Sequence, residues 1–403
     1  MLNWLTGTRR RDERRRKIGQ KSYPGDHLIA LSGGSSAIWT ERSPLALARE
    51  GMERNPIVYR AVRMVAEAAA SVPLVLREGE REHKHHPLLD LLRRPNPRQA
   101  GPELFEAALS HLMIAGDAYL ECVFVAGEPV ELHVLRSDQM QLVTGPDGWP
   151  VAYEHRAGGR VRRFDQSGLP PPILHLSLFS PTDDHRGAGP LAAAQMALDV
   201  HNAANAWNKA LIDNAARPSG ALVYSAGDGA LSESQFDRLK RELEETFQGA
   251  LNAGRPLLLE GGLDWKPLSL SPRDMDFNEL KNGAAREIAL AFGVPPMLLG
   301  IPGDNTYSNY QEANRALWRQ TILPLLNRTV ACLSHWLSRP FGDVMIDFDR
   351  DAIPALSAER DGLWARVKDA DFLTVNEKRI ATGYGAVAGG DAAPDALSDG
   401  KGH

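Results

Sequence analysis

Clusters of aspartate and histidine are where this 403-residue chain could do chemistry. Asp347, Asp349 and Asp351 alternate at the end of an apolar run, as carboxylates do at the start of a calcium loop. Position 352 is Ala where such a loop turns on Gly, and position 358 is Ala where it closes on a bidentate Glu. The spacing therefore stops short of a calcium site. Asp183-Asp184-His185 offers another ligand set, but Gly187 and Gly189 beside it suit a turn leading into a helix. In His83, His85 and His86 the last two cannot share a helix face, and no cysteine accompanies them. Nothing matches G-x-x-x-x-G-K-[ST], H-E-x-x-H or G-x-S-x-G. The rival enzymatic reading is a metal-dependent nuclease or phosphotransferase using Asp183, Asp347 and Asp349. We assign no catalytic residue, no metal and no cofactor.

Composition narrows the classes further. Hydrophobic residues make up 43% and charged residues 24%, which excludes general disorder and a collagenous repeat. The net charge of −5 argues against a protein that coats nucleic acid, since tight phosphate binders are usually basic. It leaves room for one that DNA merely passes. Cys122 and Cys332 support neither a disulfide framework nor a Cys-based zinc module, and point to a reducing cytoplasm. No apolar run of about 18 residues escapes charges and prolines, so no membrane is expected as a partner. Arg9 to Lys17 is strongly basic with no apolar stretch around it, so residues 1–26 are expected to be a disordered basic tail rather than a secretory signal.

The elements follow from periodicity and caps. Asn55-Pro56 starts a helix in which Ile57, Ala61, Met64, Val65, Ala68 and Val72 recur on one face. His86-Pro87 opens a second, and Pro102 to Ala115 a third that Gly116 terminates. Short strands separated by Gly and Pro turns are predicted from Ala118 to His175, making this region α+β. From Pro190 to Ala216 no breaker intervenes, predicting one helix of about 25 residues, about 38 Å long. Its stripe of Ala193, Met196, Ala197, Val200, Ala203, Ala204, Trp207, Ala210 and Leu211 is mostly alanine, which allows close packing but buries little area per residue. Its other face carries Asn202, Asn205, Asn208 and Lys209. A small αβ insert follows, with a helix capped by Ser232 and bearing Glu233, Arg238, Arg241, Glu242 and Glu245 outward. A returning helix, about Phe277 to Phe292, turns Leu280, Ala284, Ile288 and Ala291 inward. After the Gly-, Asn- and Pro-rich stretch Gly300–Asn309, Ser308 with Gln311 should cap a helix from Tyr310 to Ser338, kinked at Pro324. A strand at Val344–Phe348, a helix at Ala358–Ala370 and a start signal at Thr374–Glu377 complete the order.

The order of these segments resembles the portal, or head-to-tail connector, family of tailed phages and phage-derived gene transfer agents. The resemblance spans about residues 50–385. It is carried by Asn55–Tyr59 with Ala68–Leu74, His86–Leu92 with Pro95-Asn96-Pro97, Ala115–Leu120, Ile173–His175 and Gly187–Leu191. Phe292–Gly300 followed by Asn305–Asn309 is the most specific stretch, and Thr374–Arg379 with Gly383 closes it. Gly189 stands before Pro190 where the family usually has Ser.

The resemblance implies an α+β portal-type subunit with wing, long-helix stem, αβ clip and helical crown, assembled into a ring. The wing would be 27–189, the stem helices 190–216 and 273–293, and the clip 217–272. A tunnel loop and long kinked helix would occupy 294–339, a wing strand 340–350, and the crown with a flexible C-terminus 351–403. The implied function is a channel at one capsid vertex for packaging and ejecting double-stranded DNA, assembled in the bacterial cytoplasm. Its partners would be further copies of itself, twelve in all, DNA, the large terminase, a head-tail adaptor and the major capsid protein. Gly300, Pro302, Gly303, Asp304, Asn305, Thr306 and Tyr307 would form the tunnel loop. Val200, Ala203, Ala204, Trp207 and Leu211 would meet the neighbouring subunit, and Asn202, Asn205, Asn208 and Lys209 the channel. Glu233, Arg238, Arg241, Glu242 and Glu245 would dock the motor or adaptor.

Overall fold

Asn55 launches the first long helix: its side-chain oxygen accepts from the Ile57 and Val58 amides, the donors a helix start leaves open. The structure is a computed structural model describing residues 39–79, 81–213, 220–224, 234, 237–238, 263–267, 277–303, 306–342 and 344–392. Before Asn55 come α1 (Pro44–Ala48) and a π-helical turn at Arg49–Glu53. After it, α2 (Pro56–Ala70) buries Val58, Ala61, Val62, Val65 and Ala66 against α4 (Gly101–Ala115). The short α3 (Pro87–Arg93) lies between, and the His86 ring accepts from the Leu88 amide at its start.

Three antiparallel sheets accompany these helices. In one, β3 (Asp117–Val125) runs between β4 (Glu128–Leu135) and β8 (Ile173–Ser177). In another, β5 (Met140–Thr144), β6 (Pro150–Ala157) and β7 (Arg160–Asp165) form a meander. Strand β7 has no apolar run to announce it: of its six residues only Phe164 is buried, and backbone pairing to β6 makes it a strand. In the third, β1 (Leu74–Glu78) pairs on one edge with β2 (Arg81–His83) and on the other with β11 (Met345–Phe348), which returns from late in the chain.

The long Ala-rich segment is two helices, α5 (Pro190–Ala193) and α6 (Gln195–Asp213), with a turn at Ala194. The expected continuous helix is thus corrected. The turn brings Leu191, Ala194, Ala197 and Leu198 into one buried cluster, and that burial outweighs the continuous helical propensity. The inward face is also rotated from the expected stripe: Met196 is 68% exposed and Ala203 and Ala210 are exposed, whereas His201 is buried. Helix α6 packs along α7 (Phe277–Ala291), and between them β9 (Gly220–Tyr224) pairs antiparallel with β10 (Leu263–Pro267). On α7, Ala284 and Ile288 are buried as expected but Leu280 is exposed.

Helix α8 (Tyr307–Leu317) starts three residues before the expected Tyr310, because Thr306 rather than Ser308 is the cap, accepting from the Asn309 amide. It passes through a π-helical turn at Trp318–Ile322 into α9 (Leu323–Leu337). That wider turn stands just before Pro324, where an α-helical ladder would meet the proline ring. The last elements are α10 (Ser357–Lys368) and α11 (Val375–Ala381), the latter with the expected Thr374/Glu377 capping box.

Candidate functional site

The base of α6 is fastened to the chain preceding α2 by a run of polar contacts. The Thr40 amide donates to Asp199 at 3.1 Å, the Thr40 hydroxyl also donates to Asp199, and Gln195 donates to the Thr40 carbonyl. Arg42 donates to Gln195 at 2.8 Å. One turn on, the Asn202 side chain donates to the Glu50 carbonyl at 3.0 Å and accepts from Asn55 at 2.9 Å. Asn55 also meets His201 Nδ1 at 2.9 Å, and Asn205 meets the same nitrogen at 3.2 Å. Burial, with a smaller effect from Lys281, lowers the His201 pKa.

These contacts locate the stem residues predicted from sequence. Asn202 and Asn205 are half-buried and turned to their own subunit, Asn208 is half-buried and Lys209 exposed. Ala204 is 4% exposed, buried within the subunit, which corrects its placement on a face left for a neighbour. Val200 packs on the main core, Ala203 is exposed and Trp207 half-buried. The Leu211 side chain lies outside the described residues.

The stretch after α7 is tied down at both ends. Gly293 takes φ +64° under Thr321, whose hydroxyl donates to the Gly293 carbonyl at 2.7 Å. A 3₁₀ turn, Pro296–Leu299, ends on Gly300 at φ +73°. Ile301 then buries against Ala285 and Ala289 of α7, and Arg286 donates to the Pro302 carbonyl. Pro302, Gly303 and Thr306 are exposed, while Asp304 and Asn305 lie outside the described residues. Tyr307, expected in the loop, is the first residue of α8 and 80% exposed, with Tyr310 close behind at 52%. On the insert helix Arg238 is exposed; Glu233, Arg241, Glu242 and Glu245 lie outside the described residues.

The carboxylates that a nuclease would need are otherwise engaged. Asp347 pairs with Arg77 at 3.6 Å and Arg350 at 3.4 Å. Asp349 accepts from the Asp351 amide. Asp183 accepts from the His185 and Arg186 amides, and these bonds hold its carboxyl below the usual range. Among the described residues no three His, Cys, Asp or Glu are grouped to hold a metal ion. Sequence reading missed His201 and the Thr40–Asp199 clasp. Asn55 was visible as a cap, but its second role depends on a residue 146 positions away.

A helical pair carrying a two-stranded insert, joined by a polar clasp to an α+β body, defines a modular structural subunit. Comparison with known proteins gives it a family. The phage portal protein family matches residues 56–383, and the chain belongs to that family. Over 89% of its length it is 55% identical to a chain in the neck of an empty gene transfer agent particle, covering 98% of that chain with a TM-score of 0.69. A chain in the neck of the native particle, computed with C12 symmetry, is 54% identical over 88% of this chain and 97% of its own, with a TM-score of 0.66. The portal protein of Enterobacteria phage HK97 is 26% identical over 83% of this chain and 80% of its own length.

Proposed function

We propose that this chain is one subunit of a twelve-fold portal ring at a capsid vertex, through which double-stranded DNA is packaged and released. The observation that carries the reading is the near full-length similarity to chains in gene transfer agent necks, at more than half identity. The particle is accordingly taken to be of that kind, with the ring at its head-tail vertex. The ring is a conduit, and the energy for moving DNA comes from a large terminase docked on it. A head-tail adaptor later takes the motor's place, and the major capsid protein surrounds the wing.

Charge and shape support the reading. A channel for moving DNA works best with few phosphate contacts, since each releases counterions and holds the duplex in place. The chain's net −5, multiplied around a ring, suits such a bore. The neighbour-facing stem surface is taken as Ala203 and Trp207 with Met196 and Ala210, which α7 leaves exposed or half-covered. Lys209 is the charged residue of this part of α6 exposed toward the channel side in our reading. Native mass spectrometry tests the assembly: a mass of twelve 44.1 kDa chains is expected, and a strictly monomeric protein would overturn the ring. Incubating the ring with linear DNA and Mg²⁺ tests the conduit, with intact DNA expected.

A further inference from the structure

The geometry points to a proton-sensitive latch between stem helix α6 and the start of α2, made by Asn55 and a neutral His201. Asn55 is 1% exposed and its amide is fully used. Its oxygen accepts from the Ile57 and Val58 amides, at 3.0 and 3.1 Å, as the cap of α2. That fixes which way round the amide stands, because a nitrogen there would face two donors. Its nitrogen must therefore point at α6, where it donates to Asn202 Oδ1 and His201 Nδ1, both at 2.9 Å.

The tautomer of His201 follows. A nitrogen that receives a hydrogen bond has no proton, so His201 carries its single proton on Nε2. Protonating Nδ1 would set two donors against each other in a site where the imidazole is 1% exposed. Asn55 cannot turn over to help without uncapping α2. Asn205, the other neighbour of Nδ1, could only answer one of the lost contacts.

The charges around the ring do not offset a cation there. From α7, Lys281 acts on the imidazole and opposes its protonation. From the π-helical turn, Glu50 is paired with Arg54 at 2.8 Å. On α6 itself Asp199 is held by Thr40, and in the segment before α1 Arg42 is bound to Gln195, with Glu41 exposed beside it. The latch is thus closed above the ordinary histidine range and opens as pH falls below it. Release would loosen the junction of α6 with the start of α2 at His201, while the Thr40–Asp199 contacts still hold the base of α6. This holds whether or not the chain forms a ring.

Hydrogen exchange on the full chain, corrected for intrinsic exchange at each pH, reads the latch directly. Protection of amides 195–213 should fall by up to about tenfold, the limit for one histidine, between pH 7.5 and pH 5.5 in the wild type and stay level in His201→Gln. Asn55→Asp keeps the cap but places a carboxylate against Nδ1, so its pH dependence should reverse, with α6 better protected at pH 5.5. A His201→Gln profile that follows the wild type, or a wild-type profile that is level, overturns the latch. Should His201→Gln fail to fold, Asn55→Asp decides alone: reversal supports the latch, and a slope like the wild type overturns it.

Discussion

At Gly187 two backbones cross too closely for any side chain. A Cβ there would stand 2.0 Å from the Gly116 carbonyl oxygen, and one on Gly116, itself at φ +81°, would stand 2.5 Å from Gly187. The Gly187 amide also donates to Asp117, which accepts from His175 at 2.8 Å, so the turn before α5 is pinned to the β3–β8 sheet. Gly187→Ala should cost about 3 kcal/mol or more, because backbone rather than a flexible side chain must move. A urea melt matching the wild type would contradict this. Asp351 makes a second residue-scale case. Hydrogen bonds from Arg360, then from Tyr384, hold its carboxyl below the ordinary 3.8. The stability this adds is present above that value and lost as pH falls through the lowered one. Arg360→Met should therefore weaken the packing of α10 with α11 at pH 7 and flatten its acid sensitivity below pH 4, read by exchange of residues 375–391. Trp207→Ala, at a half-buried position, should cost about 1–3 kcal/mol. If that cost falls on assembly, native mass spectrometry will show incomplete rings of folded subunits. Complete rings with a lower melting temperature would place Trp207 in intrachain packing.

Elements divide into those held by the subunit and those held out from it. The loop after Gly300 is anchored by Ile301 on one side and the Thr306 cap on the other, so its span can be changed without unravelling α7 or α8. Deleting residues 303–305 should leave ring mass unchanged and lower the yield of DNA-filled particles. Normal filling would remove the loop from the packaging mechanism. Arg238 of the insert is exposed, and under the proposed function a charged surface there would suit a partner that is later exchanged. Reversing Arg238 and Arg241 to Glu should weaken binding of the terminase or the adaptor while the ring mass stays the same. Unchanged binding would place the dock elsewhere.

For the whole molecule, the pairing of β11 with β1 matters most. It returns the chain to the α+β body after the helical pair, the insert and the long α8–α9 run have been made. The helical pair is thus tied into the body at both ends of its sequence. A subunit tied in this way can transmit force along the pair. The latch at Asn55 and His201 lies on this same path.

Much of this was legible in the residues. Asn55-Pro56, Gly116, Thr374 with Glu377 and the Pro295-Pro296 stop are local signals: a cap, a left-handed turn and a missing amide act within a few positions. They therefore gave element boundaries and order, and through order the family. What the tertiary structure decided lies at longer range. The break at Ala194 and the rotated face of α6 came from burial of Leu191 and Leu198 in one core, which no helical propensity encodes. Strand β7 came from pairing rather than apolar pattern, since its side chains are nearly all in solvent. Asn202, Asn205 and His201 look from sequence like a polar face, but contact with Asn55 and the Glu50 carbonyl makes them a junction. A hydrogen bond needs partners at about 3 Å, and a chain read in one dimension cannot show which distant residues folding brings that close.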